Sequence, residues 1–146
     1  MCGIVGFVNN KENKEEIIKD MSKKIEHRGP DGEGFYIDDN CALAHRRLAI
    51  IDLNTGAQPI YNEDKSKVII YNGEVYNFKE LKEALLKKKH VFKTKTDTEV
   101  ILHGYEQWGE KLPNHLRGMF SFAIWDKNKN ELFMARDGFG IKPLYY

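Results

Sequence analysis

MFSFAIWDKNKNELFMAR, residues 119–136, is the stretch whose reading decides the fold. An apolar run over 119–125 and a second over 131–136 flank five polar residues, DKNKN, which suits two strands joined by a tight polar turn, a β-hairpin. Upstream, Val100, Ile101, Tyr105 and Trp108 share a helical face, Thr96 and Glu99 form a capping box, and Gly109 ends the helix. Phe78, Leu81, Leu85 and Leu86 repeat in the same way after Asn77 and Glu80, a second capping signal. Ile17, Ile18, Met21 and Ile25 give a third helix over residues 14–26. CGIVGFV (residues 2–8) reads as a buried strand, HRGPDGEG (27–34) as a loop, and 34–37, 41–45, 48–51 and 68–72 as short apolar runs. A last short strand is expected at 144–146. Strands gather at both ends with helices between them, which favours an α+β or layered sandwich over a doubly wound parallel sheet. The pattern leaves the order of layers open.

The chain has 146 residues, enough for one domain with its own core. With 23 basic and 22 acidic residues, the net charge of +1 argues against nucleic acid or a membrane surface as partner. No apolar run approaches the ~20 residues of a membrane span. Lys87, Lys88 and Lys89 fall where a helix ends and suit its dipole. Two cysteines, Cys2 and Cys41, make no disulfide scaffold, so a reducing cytoplasm is expected. His45, His90, His103 and His115 are scattered without metal-ligand spacing, so no metal is expected.

Cys2 is the first residue at which chemistry could sit. Removing Met1 would leave an α-amine on the residue that carries the thiol. Such an amine has a reference pKa of about 7.7–8.0, against about 8.5 for a thiol, and can act as a base on its own side chain. The plainer alternative is a structural cysteine buried in a strand. Asn72-Gly73 is likewise a hairpin-turn signal when taken alone.

CGIVGFV, HRGPDGEG, AHRRLAIID (44–52), GAQPIYN (56–62), YNGEVYN (71–77), TDTEV (96–100), LRGMFSFAIWD (116–126) and ARDGFGIKPLYY (135–146) form an ordered set. Together they resemble the class II glutamine amidotransferases, the N-terminal-nucleophile type, along essentially the whole chain. HRGP followed by Asp31, and the RDGFGIKPLYY ending, are similar to the glutamine-hydrolysing asparagine synthetases. The resemblance leaves amidation of another carboxylate as an alternative acceptor chemistry. A non-catalytic regulatory module on the same scaffold is the other alternative, disfavoured because Cys2, Arg47, Asn72, Gly73 and Asp97 are all kept.

The resemblance implies a four-layer αββα sandwich and hydrolysis of L-glutamine to L-glutamate and ammonia through a γ-glutamyl thioester on Cys2. It gives Asn72 and the Gly73 backbone as oxyanion donors, Arg47 to the α-carboxylate and Asp97 to the α-ammonium of glutamine. It places the main chain of Leu48, Ala49, Ile50 and Ile51, and that of Glu74, around the ligand. A planar guanidinium suits a carboxylate, and a side-chain amide is a neutral oxyanion donor, so residue chemistry agrees with those roles. His27 and Arg28 are assigned support and closure, Arg46 is read as a surface charge and Cys41 as a core strand residue. The resemblance further implies that the domain continues beyond Tyr146 into a synthetase domain using ATP and Mg. That domain is the expected partner, with a homodimer as the self-association allowed for. No cofactor is expected for residues 1–146 themselves.

Overall fold

In β3 (Cys41–Arg47), Cys41 and Leu43 enter one hydrophobic core while Ala42 and Ala44 enter another, as the two-residue period of a strand requires. In this computed structural model, which describes residues 1–9, 12–48 and 56–146, β3 is the middle of a three-stranded antiparallel sheet. Its neighbours are β1 (Gly3–Val8) and β2 (Gly32–Ile37). A second antiparallel sheet runs in the order β4 (Ile60–Tyr61), β5 (Lys67–Val75), β6 (Gly118–Asp126), β7 (Glu131–Arg136).

The same alternation sorts β5 and β6. Val68, Ile70, Ala123 and Trp125 meet Tyr36, Cys41 and Leu43 in a core between the sheets. Ile69, Tyr71, Phe122 and Ile124 face outward onto α2 (Phe78–Lys87) and α3 (Asp97–Trp108), against Leu81, Leu85, Val100 and Ile101. On the far side, Ala42 and Ala44 pack against Ile18 and Met21 of α1 (Lys14–Lys24). The layers are therefore helix, sheet, sheet, helices, the αββα order that the sequence pattern left open. Asp38 ties the seam between the sheets: its carboxylate accepts from Trp125 Nε1 at 2.7 Å, from the Tyr36 hydroxyl and from the backbone N–H of Cys41 at 2.7 Å. Burial alone would raise that carboxyl, but these donors hold it below its ordinary range.

The hairpin forms as expected, with Asp126 opposite Glu131 and Asn130 in the turn at φ 56. Gly109 ends α3 at a left-handed φ of 56. Four expectations are corrected. The first helix stops at Lys24, and residues 26–28 form a separate 3₁₀ turn. Neither capping box forms, because both sets of side chains serve longer-range partners. The Asn77 amide bridges the His115 carbonyl and the Arg117 N–H at 2.9 Å each, and Glu99 accepts from the N–H groups of Lys93 and Thr94. Residues 144–146 are not a strand; Tyr145 and Tyr146 are exposed. Finally, Arg46 is buried rather than a surface charge. It lies beneath α1, where Nε donates to Ser22 Oγ at 2.8 Å and a second guanidinium nitrogen pairs with Glu33 at 2.8 Å. The expected run at 48–51 lies, beyond Leu48, outside the described residues.

Leu43 is fully buried between the sheets, whereas Leu86 on α2 is half exposed. Leu43→Ala should cost about 2–5 kcal/mol and Leu86→Ala under about 1 kcal/mol, measured by urea unfolding.

Candidate active site

β1 pairs with β3 so that Gly3 lies opposite Arg46 and Ile4 opposite His45, which sets Cys2 at the end of the sheet, next to Arg47. The Cys2 thiol is half buried, with the Leu48 N–H donating to Sγ at 3.5 Å. Arg28 Nε donates to the Cys2 carbonyl at 3.2 Å, which is the support expected of that residue. The second sheet contributes Asn72, on the same face of β5 as Val68 and Ile70, and buried.

Asn72-Gly73 is not a turn. The pair sits inside β5, opposite Ser121 and Phe120 of β6. A Cβ on Gly73 would come within 2.2 Å of the Met119 carbonyl oxygen and 2.7 Å of Phe120 Cα, so no side chain fits there. The neighbouring backbone, not a turn conformation, demands this glycine.

Cys2, Arg47, Asn72, Gly73, Glu74 and Asp97 line one cavity of about 490 Å³. These residues come from the start of the chain just before β1, from β3, from β5 and from the first turn of α3, distant in sequence and joined by the stacking of the two sheets. Asp97 Oδ2 accepts from the Tyr71 hydroxyl at 2.7 Å and from the Val75 N–H at 2.9 Å, which fixes the carboxylate plane. Burial, reinforced by Asp97, pushes the Tyr71 phenol far above its ordinary range and keeps it a donor. Gln58 holds β5 from the other edge, accepting from Tyr71 N at 2.6 Å and donating to Tyr71 O at 3.2 Å. The backbone of Leu48 reaches the thiol, while Ala49, Ile50 and Ile51 lie outside the described residues.

No histidine is among the described residues that line this cavity. His45 is buried nearby, and burial, with the Arg47 charge adding to it, pushes its pKa down to about 4, so it is neutral at pH 7. Cys41 is fully buried in β3 and burial pushes its thiol up to about 12, which leaves it inert. Cys2 is thus the accessible thiol of the two.

Lys142 was missed from sequence. It is 5 % exposed, lines the same cavity, and donates from Nζ to Met1 Sδ at 2.8 Å. Among the described residues no carboxylate pairs with it. An ammonium buried without a counter-ion is costly and points to a functional position. Its place is set by Asp137, whose carboxylate accepts the backbone N–H groups of Phe120, Phe139, Ile141 and Lys142 at 2.9–3.2 Å. Burial works to raise the Asp137 carboxyl, but the four donors outweigh it and lower it. The signal for Lys142 in the sequence is the RDGFGIK motif, which carries the resemblance but by itself gives its lysine no role.

A family model described as a glutamine amidotransferase domain matches residues 1–146, and the chain belongs to that family. Among the relatives is an asparagine synthetase [glutamine-hydrolyzing] 2 of Bacillus subtilis, 50% identical over 151 residues, which cover 100% of this chain and 20% of that protein. Another is asparagine synthetase [glutamine-hydrolyzing] 3 of Arabidopsis thaliana, 47% identical, covering 99% of this chain and 25% of that protein. The chain thus spans about a fifth to a quarter of the length of these relatives. The fold is also that of the glutamine phosphoribosylpyrophosphate amidotransferase of B. subtilis, solved with ADP and GMP. That match has TM-score 0.73 and 18% identity, and covers 94% of this chain and 37% of the other. A structure of the allosteric regulatory enzyme of purine biosynthesis matches at TM-score 0.78 and 20% identity, over 97% of this chain and 38% of that one.

Met1 lies in the cavity beside Cys2, so its removal should open access to the thiol. Alkylation by iodoacetamide, followed by peptide mass spectrometry, should label Cys2 faster in a chain that starts at Cys2 than in one that keeps Met1. Cys41 should stay unlabelled in both while the chain is folded.

Proposed function

We propose that this domain hydrolyses L-glutamine and supplies the ammonia to an ATP-dependent asparagine synthesis carried by further sequence, as in the relatives' names. The observation that carries this reading is the cavity itself. The Cys2 thiol and the Asn72 side-chain amide line it together, and a guanidinium and a carboxylate offer grips for the two charged ends of an α-amino acid.

In this reading Met1 is removed and the Cys2 α-amine takes the thiol proton. The thiolate attacks the side-chain amide carbon of glutamine, forming a carbon–sulfur bond. Negative charge moves to the carbonyl oxygen, where the Asn72 amide and the Gly73 main chain receive it. Collapse breaks the carbon–nitrogen bond, and the amine returns its proton to the departing ammonia. Water, deprotonated by the same amine, hydrolyses the thioester and releases glutamate. With no histidine among the described lining residues, the amine is the base nearest to the thiol. Arg47 pairs with the α-carboxylate and Asp97 with the α-ammonium. The exposed Glu74 side chain contributes through its main chain.

Once Met1 is gone, the Lys142 ammonium faces the cavity without its thioether partner. We assign it to the negative charge that appears at the thiol end of the cavity. The acceptor, aspartate, and the cofactors, ATP and Mg, belong to the proposed synthetase part and have no residues here. The cytoplasm is the proposed location, in keeping with two free cysteines and with no helix among the described residues long and apolar enough to cross a membrane.

Two mutant comparisons test the assignments, with ammonia release as the readout. Asn72 meets charge that exists only in the tetrahedral state, so Asn72→Ala should lower kcat by about 10²–10³. Arg47 holds a group that does not change, so Arg47→Ala should mainly raise KM, by roughly 10- to 100-fold for a charged hydrogen bond. An Asn72→Ala enzyme with unchanged kcat and weakened binding would remove Asn72 from the chemistry.

Lys142→Met keeps the length and apolar stem but not the charge. It should lower kcat/KM on the order of 10-fold, while Lys142→Arg retains most of it. Equal loss in both variants would mean that Lys142 serves packing alone.

A further inference from the structure

Away from the glutamine cavity, two of the four histidines expected to be scattered come together. His90, in the connection between α2 and α3, and His103, on α3, have ring centroids 5.2 Å apart. Glu106, one turn beyond His103, comes to 2.7 Å from His103 Nδ1 and 3.7 Å from His90 Nδ1 through the same oxygen, Oε2. One ligand atom from each of these three side chains lies within 4.8 Å of the others. Glu63, between β4 and β5, places Oε2 at 3.9 Å from His103 Nδ1.

We propose that His90, His103, Glu106 and Glu63 form a tetrahedral binding site for a divalent cation of the zinc type. Two imidazoles and two carboxylates suit zinc, whose bonds of about 2.0–2.2 Å put tetrahedral ligand atoms roughly 3.3–3.5 Å apart. The observed separations of 2.7, 3.7 and 3.9 Å bracket that value. Accommodating the ion needs only a small opening of the His103–Glu106 pair and a rotation of the Glu63 side chain, which is 41% exposed.

The outward atoms of both glutamates are already held and that of His103 faces a carboxylate, which is the second observation. His103 is 1% exposed, and its Nε2 makes no hydrogen bond but faces the Glu99 carboxylate at 3.6 Å. Glu106 Oε1 accepts from Asn62 Nδ2 at 2.7 Å, and Glu63 Oε1 from the Val91 N–H at 3.3 Å. An imidazole turned toward a cation with its far nitrogen toward a carboxylate is a recurrent outer-shell arrangement of zinc ligands. A proton on His103 Nδ1 bridges to Glu106 alone and leaves His90 Nδ1 and Glu63 Oε2 beyond hydrogen-bond distance. A divalent cation serves all four. The ion would join the β4–β5 connection, the α2–α3 connection and α3, the helix whose first turn carries Asp97. Its role is therefore structural, and it does not depend on what the glutamine cavity does.

The test uses zinc itself, on protein carrying Cys2→Ala so that the terminal thiol cannot bind the metal. After dialysis against zinc, elemental analysis should find one equivalent per chain, and thermal unfolding should move up by several degrees and fall back with EDTA. Cobalt in place of zinc should give the visible absorption of a tetrahedral ion. His90→Ala should weaken zinc binding at least ~10-fold by titration calorimetry. If that variant is unfolded by circular dichroism, His90→Gln, which keeps the bulk, carries the comparison. Less than stoichiometric zinc in the parent would overturn the site. So would zinc bound equally well by the His90 variant, since the metal would then sit elsewhere.

Discussion

β5 and β6 touch at Gly73, and the cavity is built around that contact. Any side chain there would meet the Met119 carbonyl at bond-like distance. Because the backbones close up, β5 stays in register with β6 as far as Val75, beyond the end of the core between the sheets. Asn72 is thereby presented, buried and directed, at the point where the first sheet delivers Cys2. A slip of one residue would turn Asn72 to the helix side and Gly73 to the thiol. The apolar alternation on either side, Val68 and Ile70 inward, Ile69 and Tyr71 outward, makes such a slip expensive.

Much of this could be read from residues alone, and the failures share one cause. The hairpin at 119–136, the three helices and the N-terminal strand were legible because each depends on periodicity within a short window. The αββα order was not legible from period, since alternation shows that a strand has two buried faces but not what covers each. The roles of Cys2, Arg47, Asn72, Gly73 and Asp97 came from motifs in order along the chain, and the structure brings all five to one cavity. What local reading got wrong were polar side chains with distant partners. Asn77 and Glu99 looked like caps, Arg46 like a surface charge, and Asn72-Gly73, taken alone, like a turn. For three of these the partner lies on another element, His115 for Asn77, Ser22 for Arg46 and Phe120 for Gly73, while Glu99 turns back to Lys93 and Thr94 ahead of its helix. Lys142 was missed for the same reason, as nothing near it in sequence shows that Asp137 folds the 137–142 loop back to Met1.

The two ends of α3 divide their labour. Its first turn carries Asp97 into the cavity, while His103 and Glu106, two turns on, sit in a polar cluster with His90 and Glu63. Glu99 links the two by accepting from Lys93, Thr94 and the Thr94 hydroxyl, and Thr94 in turn contacts Thr96 at 2.8 Å. The Asp97 carboxylate is thus positioned from both sides, by Tyr71 and Val75 within the sheet and by this buried polar set behind the helix. Buried hydrogen-bond networks of this kind rigidify what they hold.

β1, which begins directly after Cys2, lies at the edge of its sheet and, among the described residues, pairs with β3 alone. Met1, the residue that precedes Cys2, lies in the cavity against Lys142. A polypeptide fused upstream would be threaded through the same space. For anyone handling the protein, an affinity tag at this end is a competitor for the cavity. A terminal His-tag, rich in imidazole, would also bring metal ligands to the one accessible cysteine.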